Sequence, residues 1–214
     1  MSSPRLALLD YGMGNLRSAE KALEHVGAVV DRTADPATIR AADGLVLPGD
    51  GAFPRAIQRV RALGLDRLVA ERLDQGVPVL GICVGMQLLF EGSDELGGEE
   101  GLALLEGRVV GLDAPGLKVP NIGWNPVTWR RESVLSAELP QPCAFYHVHS
   151  FAPLPARVED VVGTAEYGTT FASVVQRGRL FGAQFHPEKS GGDGLRLLRN
   201  FVEHCAAPAV ARAA

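Results

Sequence analysis

Cysteine is scarce in this chain. Cys83, Cys143 and Cys205 are the only three in 214 residues, an odd count with no framework spacing. That excludes a disulfide-built scaffold and points to a reducing compartment. No charge of one sign dominates: a net −4 at pH 7 offers no basic surface to nucleic acid or to an anionic membrane. Long apolar runs are missing too, since no window approaches the roughly 20 residues of a membrane helix. The apolar run after Met1-Ser2-Ser3-Pro4-Arg5 is too short for a secretory signal. A cytoplasmic protein is expected. With neither internal repeat nor linker, residues 1–206 read as one domain and 207–214 as a flexible tail.

What is present suits a globular core, with 46% hydrophobic and 21% charged residues. Leu6-Ala7-Leu8-Leu9 reads as a buried strand ending at Asp10. A loop, Tyr11-Gly12-Met13-Gly14-Asn15, and a helix over 16–26 follow. Val29-Val30 suggests a short second strand, Leu45-Val46-Leu47 a third, and 56–75 a helix interrupted at Gly64. This alternation up to residue 92 predicts βαβ units and a mostly parallel sheet. The acidic, glycine-rich stretch 92–101 reads as loop. Short β-like runs at 107–110, 126–129, 144–149, 161–165 and 171–175 then predict antiparallel, hairpin-like additions. A strand over 180–185 delivers His186, and a helix over 195–205 closes the chain.

The most informative stretch is Pro78-Val79-Leu80-Gly81-Ile82-Cys83-Val84-Gly85-Met86-Gln87-Leu88-Leu89-Phe90. It starts as a buried strand and passes through Gly81-x-Cys83-x-Gly85 into an expected helix over 87–91. The pattern is that of a nucleophile elbow, G-x-S-x-G, with sulfur in place of oxygen. Small neighbours let the sharp turn close. The helix dipole favours thiolate, and the Val84 N–H can face a developing oxyanion. The plain alternative is an inert core cysteine.

Other candidates sit on strand ends. Pro48-Gly49-Asp50-Gly51-Ala52-Phe53 follows a strand, so it is either an ordinary turn or a source of backbone N–H groups. In His186-Pro187-Glu188 the proline restrains the backbone, which allows a histidine base oriented by a carboxylate; a surface turn is the alternative. His147 and His149 share one face of a strand, yet no third ligand stands at metal spacing, so packing is expected and no metal. Gly12-x-Gly14 lacks the third glycine of a dinucleotide fingerprint, Arg17 occupying that place, so no nucleotide cofactor is expected. Cys143 and Cys205 lack elbow glycines and read as structural thiols.

With these residues in view, the chain resembles the class I (triad) glutamine amidotransferases, which carry G-x-C-x-G on the elbow and H-P-E late in the chain. Within that family it is similar to the glutaminase subunits of imidazole glycerol phosphate synthases of histidine biosynthesis. The closer likeness rests on residues 10–18, 48–53, 81–90, 121–125 (Asn121-Ile122-Gly123-Trp124-Asn125) and 186–190 (His186-Pro187-Glu188-Lys189-Ser190). The resemblance implies an open, mostly parallel α/β sheet of flavodoxin-like type flanked by helices, with antiparallel additions in the C-terminal half. It implies Cys83 as nucleophile, His186 as proton shuttle and Glu188 as its orienter. The backbone of Gly49, Asp50, Gly51 and Val84 would supply the oxyanion hole. Gln87, Glu95, Ser150 and Phe151 match positions that cradle L-glutamine, although the family usually carries Tyr where Phe151 stands. Asn15, Trp124 and Lys189 match the face docked on a (β/α)8-barrel cyclase subunit, giving a heterodimer through which ammonia passes without meeting bulk water. No cofactor is implied. Two alternatives remain: the glutaminase of another amidotransferase, serving pyridoxal phosphate or anthranilate synthesis, and a non-catalytic regulatory subunit of the same fold.

Overall fold

The computed structural model describes residues 3–207, so 208–214, nearly all of the expected tail, lie outside the described residues. The first half runs β1 (Arg5–Leu9), α1 (Leu16–His25), β2 (Val29–Thr33), α2 (Pro36–Ala41), β3 (Gly44–Leu47), α3 (Phe53–Ala62), α4 (Leu65–Asp74), β4 (Val79–Ile82) and α5 (Val84–Gln87). The second half adds β5 (Phe90–Ser93), β6 (Glu99–Glu100), β7 (Leu105–Gly111), β8 (Asn121–Trp129), β9 (Cys143–His149), β10 (Phe151–Pro155), β11 (Val161–Tyr167), β12 (Thr169–Arg177), β13 (Leu180–Ala183) and α6 (Gly191–Ala206).

Nine strands form one sheet in the order β2-β1-β3-β4-β13-β12-β11-β8-β9. Its first five strands are mutually parallel and the last four add antiparallel, as the sequence leads one to expect. The parallel part has the flavodoxin order 2-1-3-4-5, in which ligands collect at the carboxyl ends of the strands. β3, β4 and β13 are buried along their whole length because helices cover both faces, which explains their unbroken apolar sequences. α1 packs with α6, whereas α2 and α3 pack with α4. The expected break at Gly64 is real: that residue has φ +69 and separates α3 from α4.

Several readings need correction. The helix expected over 87–91 stops at Gln87, and Phe90 begins β5. The carbonyls of Leu88, Leu89 and Phe90 accept from the amides of Leu102, Leu104 and Ala103, so tertiary pairing takes the acceptors that a longer helix needs. A fully buried apolar run fits either element, and the partner segment decides. Consequently 92–101 is not all loop: it holds the end of β5 and all of β6, part of a second sheet ordered β10-β7-β5-β6. The strand before His186 ends at Ala183 rather than Phe185. α2 and β10 are additional elements; Asp35 caps α2 by accepting from the Thr38 N–H at 2.8 Å.

Candidate active site

Register places the chemistry. β4 lies between β3 and β13, with Gly81 opposite both Leu47 and Gly182 and with Ile82 opposite Ala183. Cys83 is therefore the first residue past the sheet, its N–H donating to the Ala183 carbonyl at 2.8 Å. Cys83 takes φ +54 and ψ −115, a strained conformation for a residue with a Cβ. The elbow glycines are sterically required. A Cβ on Gly85 would lie 1.9 Å from the Leu47 carbonyl oxygen, and one on Gly81 would lie 2.7 Å from the backbone of Met86. Gly49 is held as tightly, since its Cβ would meet the Gly85 nitrogen at 2.3 Å. The loop after β3 thus lies directly on the elbow.

His186 is brought in beyond β13 and fixed by its backbone, its N–H donating to Tyr146 O at 2.9 Å and its carbonyl accepting from Ser190 Oγ at 2.7 Å. Its Nδ1 meets Glu188 Oε1 at 2.9 Å, with both side chains buried. Burial opposes charge on this ring, but the Cys83 sulfur and the Glu188 carboxylate outweigh it, and its pKa rises to about 10. Glu188 Oε2 has no hydrogen-bond partner among the described residues. Asn15, Pro48, Gly49 and His186 line a small void of about 10 Å³ together with Glu188.

A cavity of about 200 Å³ opens beside the sulfur, lined by Asp50, Gly51, Cys83, Val84, Gln87, Glu95, Pro120, Val148, His149, Ser150 and Phe151. All four expected glutamine-cradling residues and three of the four expected oxyanion residues lie on it; Gly49 lies behind the elbow. Glu95 is anchored through Oε2, which accepts from the Phe53 N–H at 2.8 Å. The Gly51 N–H is already taken by Asp50 Oδ1 at 2.8 Å. The Tyr11 hydroxyl donates to the Pro48 carbonyl, pinning the chain where it enters Gly49. Burial first, then the negative charge of Cys83 and Asp50, raises the Tyr11 pKa, so the phenol stays a neutral donor. A larger cavity of about 430 Å³ lies between the two sheets, lined largely by apolar residues. Its position away from Cys83 and its lack of a nucleophile set it apart from this chemistry.

His147 and His149 are buried, and every ring nitrogen meets a protein partner: Phe145 O and Ser173 Oγ for the first, Phe151 O and Asn121 Nδ2 for the second. They pack, as expected, and His149 also lines the cavity. Cys143 and Cys205 are buried and pushed up to about 12, mainly by desolvation, so they remain thiols. Asn15, Trp124 and Lys189 are exposed. Tyr146 links that rim to the site, for its ring meets Trp124 edge-on at 6.1 Å while its backbone holds His186. Sequence reasoning missed Gln184 and Asn121 as neighbours of this site. Strand register brings them there; Asn121 stands in the 121–125 segment, but nothing in that segment announces its place beside His149.

The sequence model of the family described as "Glutamine amidotransferase class-I" matches residues 7–205. The chain is 50% identical over 198 residues to "Imidazole glycerol phosphate synthase subunit HisH" of Moorella thermoacetica, covering 92% of this chain and 94% of that protein. It is likewise 50% identical over 201 residues to the subunit of the same name from Salinibacter ruber, with 91% and 92% covered. Among solved structures, PurLQS from Thermotoga maritima superposes with a TM-score of 0.72 at 18% identity, over 94% of this chain and 99% of that one, a likeness of fold.

Proposed function

Because the chain belongs to the class I glutamine amidotransferase family, we propose that Cys83, His186 and Glu188 are its catalytic triad. The chain is a glutamine-hydrolysing enzyme subunit, the glutaminase of an imidazole glycerol phosphate synthase, as its 50% identical relatives indicate. The observation that carries the triad assignment is the strained Cys83 elbow on a cavity of glutamine size, together with a His186–Glu188 pair whose raised histidine pKa traces to Cys83 as well as to Glu188.

In this reading the Cys83 thiolate attacks the side-chain amide carbon of glutamine. The oxyanion that forms accepts hydrogen bonds from the Val84 N–H and from the Gly49–Gly51 segment, where the Asp50 N–H is the candidate because Gly51's is occupied. His186, charged at neutral pH, gives its proton to the departing nitrogen, and ammonia leaves a thioester. A water then loses its proton to His186 as it attacks the thioester, releasing glutamate. Glu188 fixes the ring and its tautomer throughout, the orienting role in a triad. Gln87, Glu95, Ser150 and Phe151 hold the substrate.

The subunit works in a complex with a cyclase subunit, and the finer proposal is a (β/α)8 barrel docked over Asn15, Trp124 and Lys189. Exposed Ile122 and Trp124 on β8 support it, with Leu117 and Val119 just before them. Among the described residues no helix is long and apolar enough to cross a membrane, in keeping with work in the cytoplasm. Cys83→Ala should abolish glutamine-dependent product formation by the assembled synthase and leave ammonia-dependent formation intact. Glutamine-dependent turnover that survives in Cys83→Ala rejects Cys83 as nucleophile.

A further inference from the structure

Beside Cys83 lies one polar side chain that the scheme above does not use. Gln184 is fully buried, and a buried amide costs stability unless its groups are hydrogen-bonded. Its position follows from register: it is the residue after Ala183 as Cys83 is the residue after Ile82, on the neighbouring parallel strand. Gln184 Nε2 lies 3.8 Å from Cys83 Sγ, within reach of an N–H···S hydrogen bond.

The direction of that contact is fixed by a chain of partners. Gln184 Oε1 accepts from Gln87 Nε2 at 3.1 Å, so the Gln184 amide must turn its N–H side toward the sulfur. Gln87 Nε2 also donates to Phe151 O at 2.9 Å, which uses both of its hydrogens and prevents the opposite orientation. Phe151 O meets His149 Nδ1 at 2.9 Å, and a carbonyl only accepts, so the ring proton sits on Nδ1. His149 Nε2 is then the acceptor that Asn121 Nδ2 meets at 3.2 Å. Burial pulls His149 down to about 4, which keeps this tautomer near neutral pH. From Asn121 to Cys83 every donor and acceptor is determined.

The sulfur therefore has different partners for its two states. As a thiol it can donate to Val148 O, 3.8 Å away. As a thiolate it has the Gln184 amide as a donor within reach and charged His186 as the group whose proton affinity it raises. We propose that Gln184 is a further catalytic residue of the glutaminase reaction, whose side-chain N–H hydrogen-bonds the Cys83 sulfur, favours its thiolate and holds it aimed at the substrate amide. The inference rests on Cys83 as the nucleophile. On deprotonation the sulfur's proton passes to His186, and Gln184 exchanges none.

The test uses the synthase assembled with its cyclase subunit, carrying Gln184→Met or Gln184→Glu. Methionine keeps the volume without the amide, and glutamate sets a carboxylate oxygen against the sulfur. The readouts are the rate of Cys83 alkylation by iodoacetamide, kcat and KM for glutamine, and ammonia-dependent turnover. Alkylation and kcat should fall about tenfold in Gln184→Met, the scale of one hydrogen bond to a charged group, and further in Gln184→Glu. KM and ammonia-dependent turnover should hold. Wild-type alkylation in both variants overturns the proposal, as does a raised KM with kcat unchanged, which would make the amide a substrate-binding group. Should both variants lose ammonia-dependent turnover, Gln184→Asn decides: slowed alkylation supports the proposal, and a wild-type rate overturns it. Failure of the nucleophile assignment itself is read separately, from glutamine turnover by Cys83→Ala.

Discussion

Three buried histidines share the neighbourhood of Cys83, and their surroundings drive their proton affinities in opposite directions. Desolvation, with repulsion from nearby histidines, lowers His147 to about 3, and desolvation with repulsion from His186 lowers His149 to about 4; neither is charged in the folded state near neutral pH. Unfolding restores the ordinary value near 6.5, so between about 4 and 6.5 the unfolded chain binds more protons and stability rises with pH. His186 acts oppositely. Its folded value of about 10 exceeds the unfolded one, so its contribution is complete below about 6.5 and is lost as pH rises toward 10. Urea unfolding should give maximal stability near neutrality, with an acid limb from the first two rings and an alkaline limb from the third. Cys83→Ala should flatten the alkaline limb, because the sulfur is a main source of the raised value; an unchanged limb assigns it to other groups. At this scale the residues of the proposed triad could be named from sequence, because an elbow and a His-Pro-Glu turn are local in the chain. Gln184 could not, because an amide gains its meaning only from the strand beside it.

Among the elements, the elbow leaves the least room. α5 is only four residues long, yet it presses against the end of β3 so closely that Gly85 and Gly49 have no space for a Cβ. Gly85→Ala would raise helix propensity and, in an open helix, would stabilise by about 0.5–1 kcal/mol. Here it should do the reverse. The methyl must displace either Leu47 or the strained Cys83, so thermal unfolding should occur several degrees lower and glutamine turnover should fall steeply. A variant with unchanged melting and activity would mean that the loop after β3 yields freely. Legibility follows the same logic of space. β3, β4 and the core of β1 announced themselves by unbroken apolar runs, and Gly64 by its place within a helical stretch. α2 carried a readable start in Asp35-Pro36, a capping residue before a proline. By contrast, β5 was hidden because Leu88-Leu89-Phe90 suits a helix until residues 101–105 claim its carbonyls.

On the scale of the whole molecule, the strip of exposed apolar residues before and on β8 connects to His186 of the proposed triad through Tyr146. Trp124 and Ile122 alternate outward along that strand, with Asn121 and Asn125 turned inward. Trp124→Asp should weaken association with the cyclase subunit by about 30-fold or more, the cost of a lost aromatic anchor. Calorimetric titration measures this, with the melting temperature of the isolated subunit expected to stay unchanged; undiminished affinity moves the docking face elsewhere. Sheet order carries a last consequence. β13, the last strand in order among the described residues, takes a place between β4 and β12 near the middle of the sheet, and Gln184 beside it stands 101 residues after Cys83. A ribosome releases Cys83, the proposed nucleophile, long before His186 and the strand that seats them together, since synthesis runs from the N-terminus. A nascent or truncated chain consequently has a thiol without a catalyst. With Cys83 as the proposed nucleophile, the seat of the active sulfur is complete only after β13 has joined the sheet.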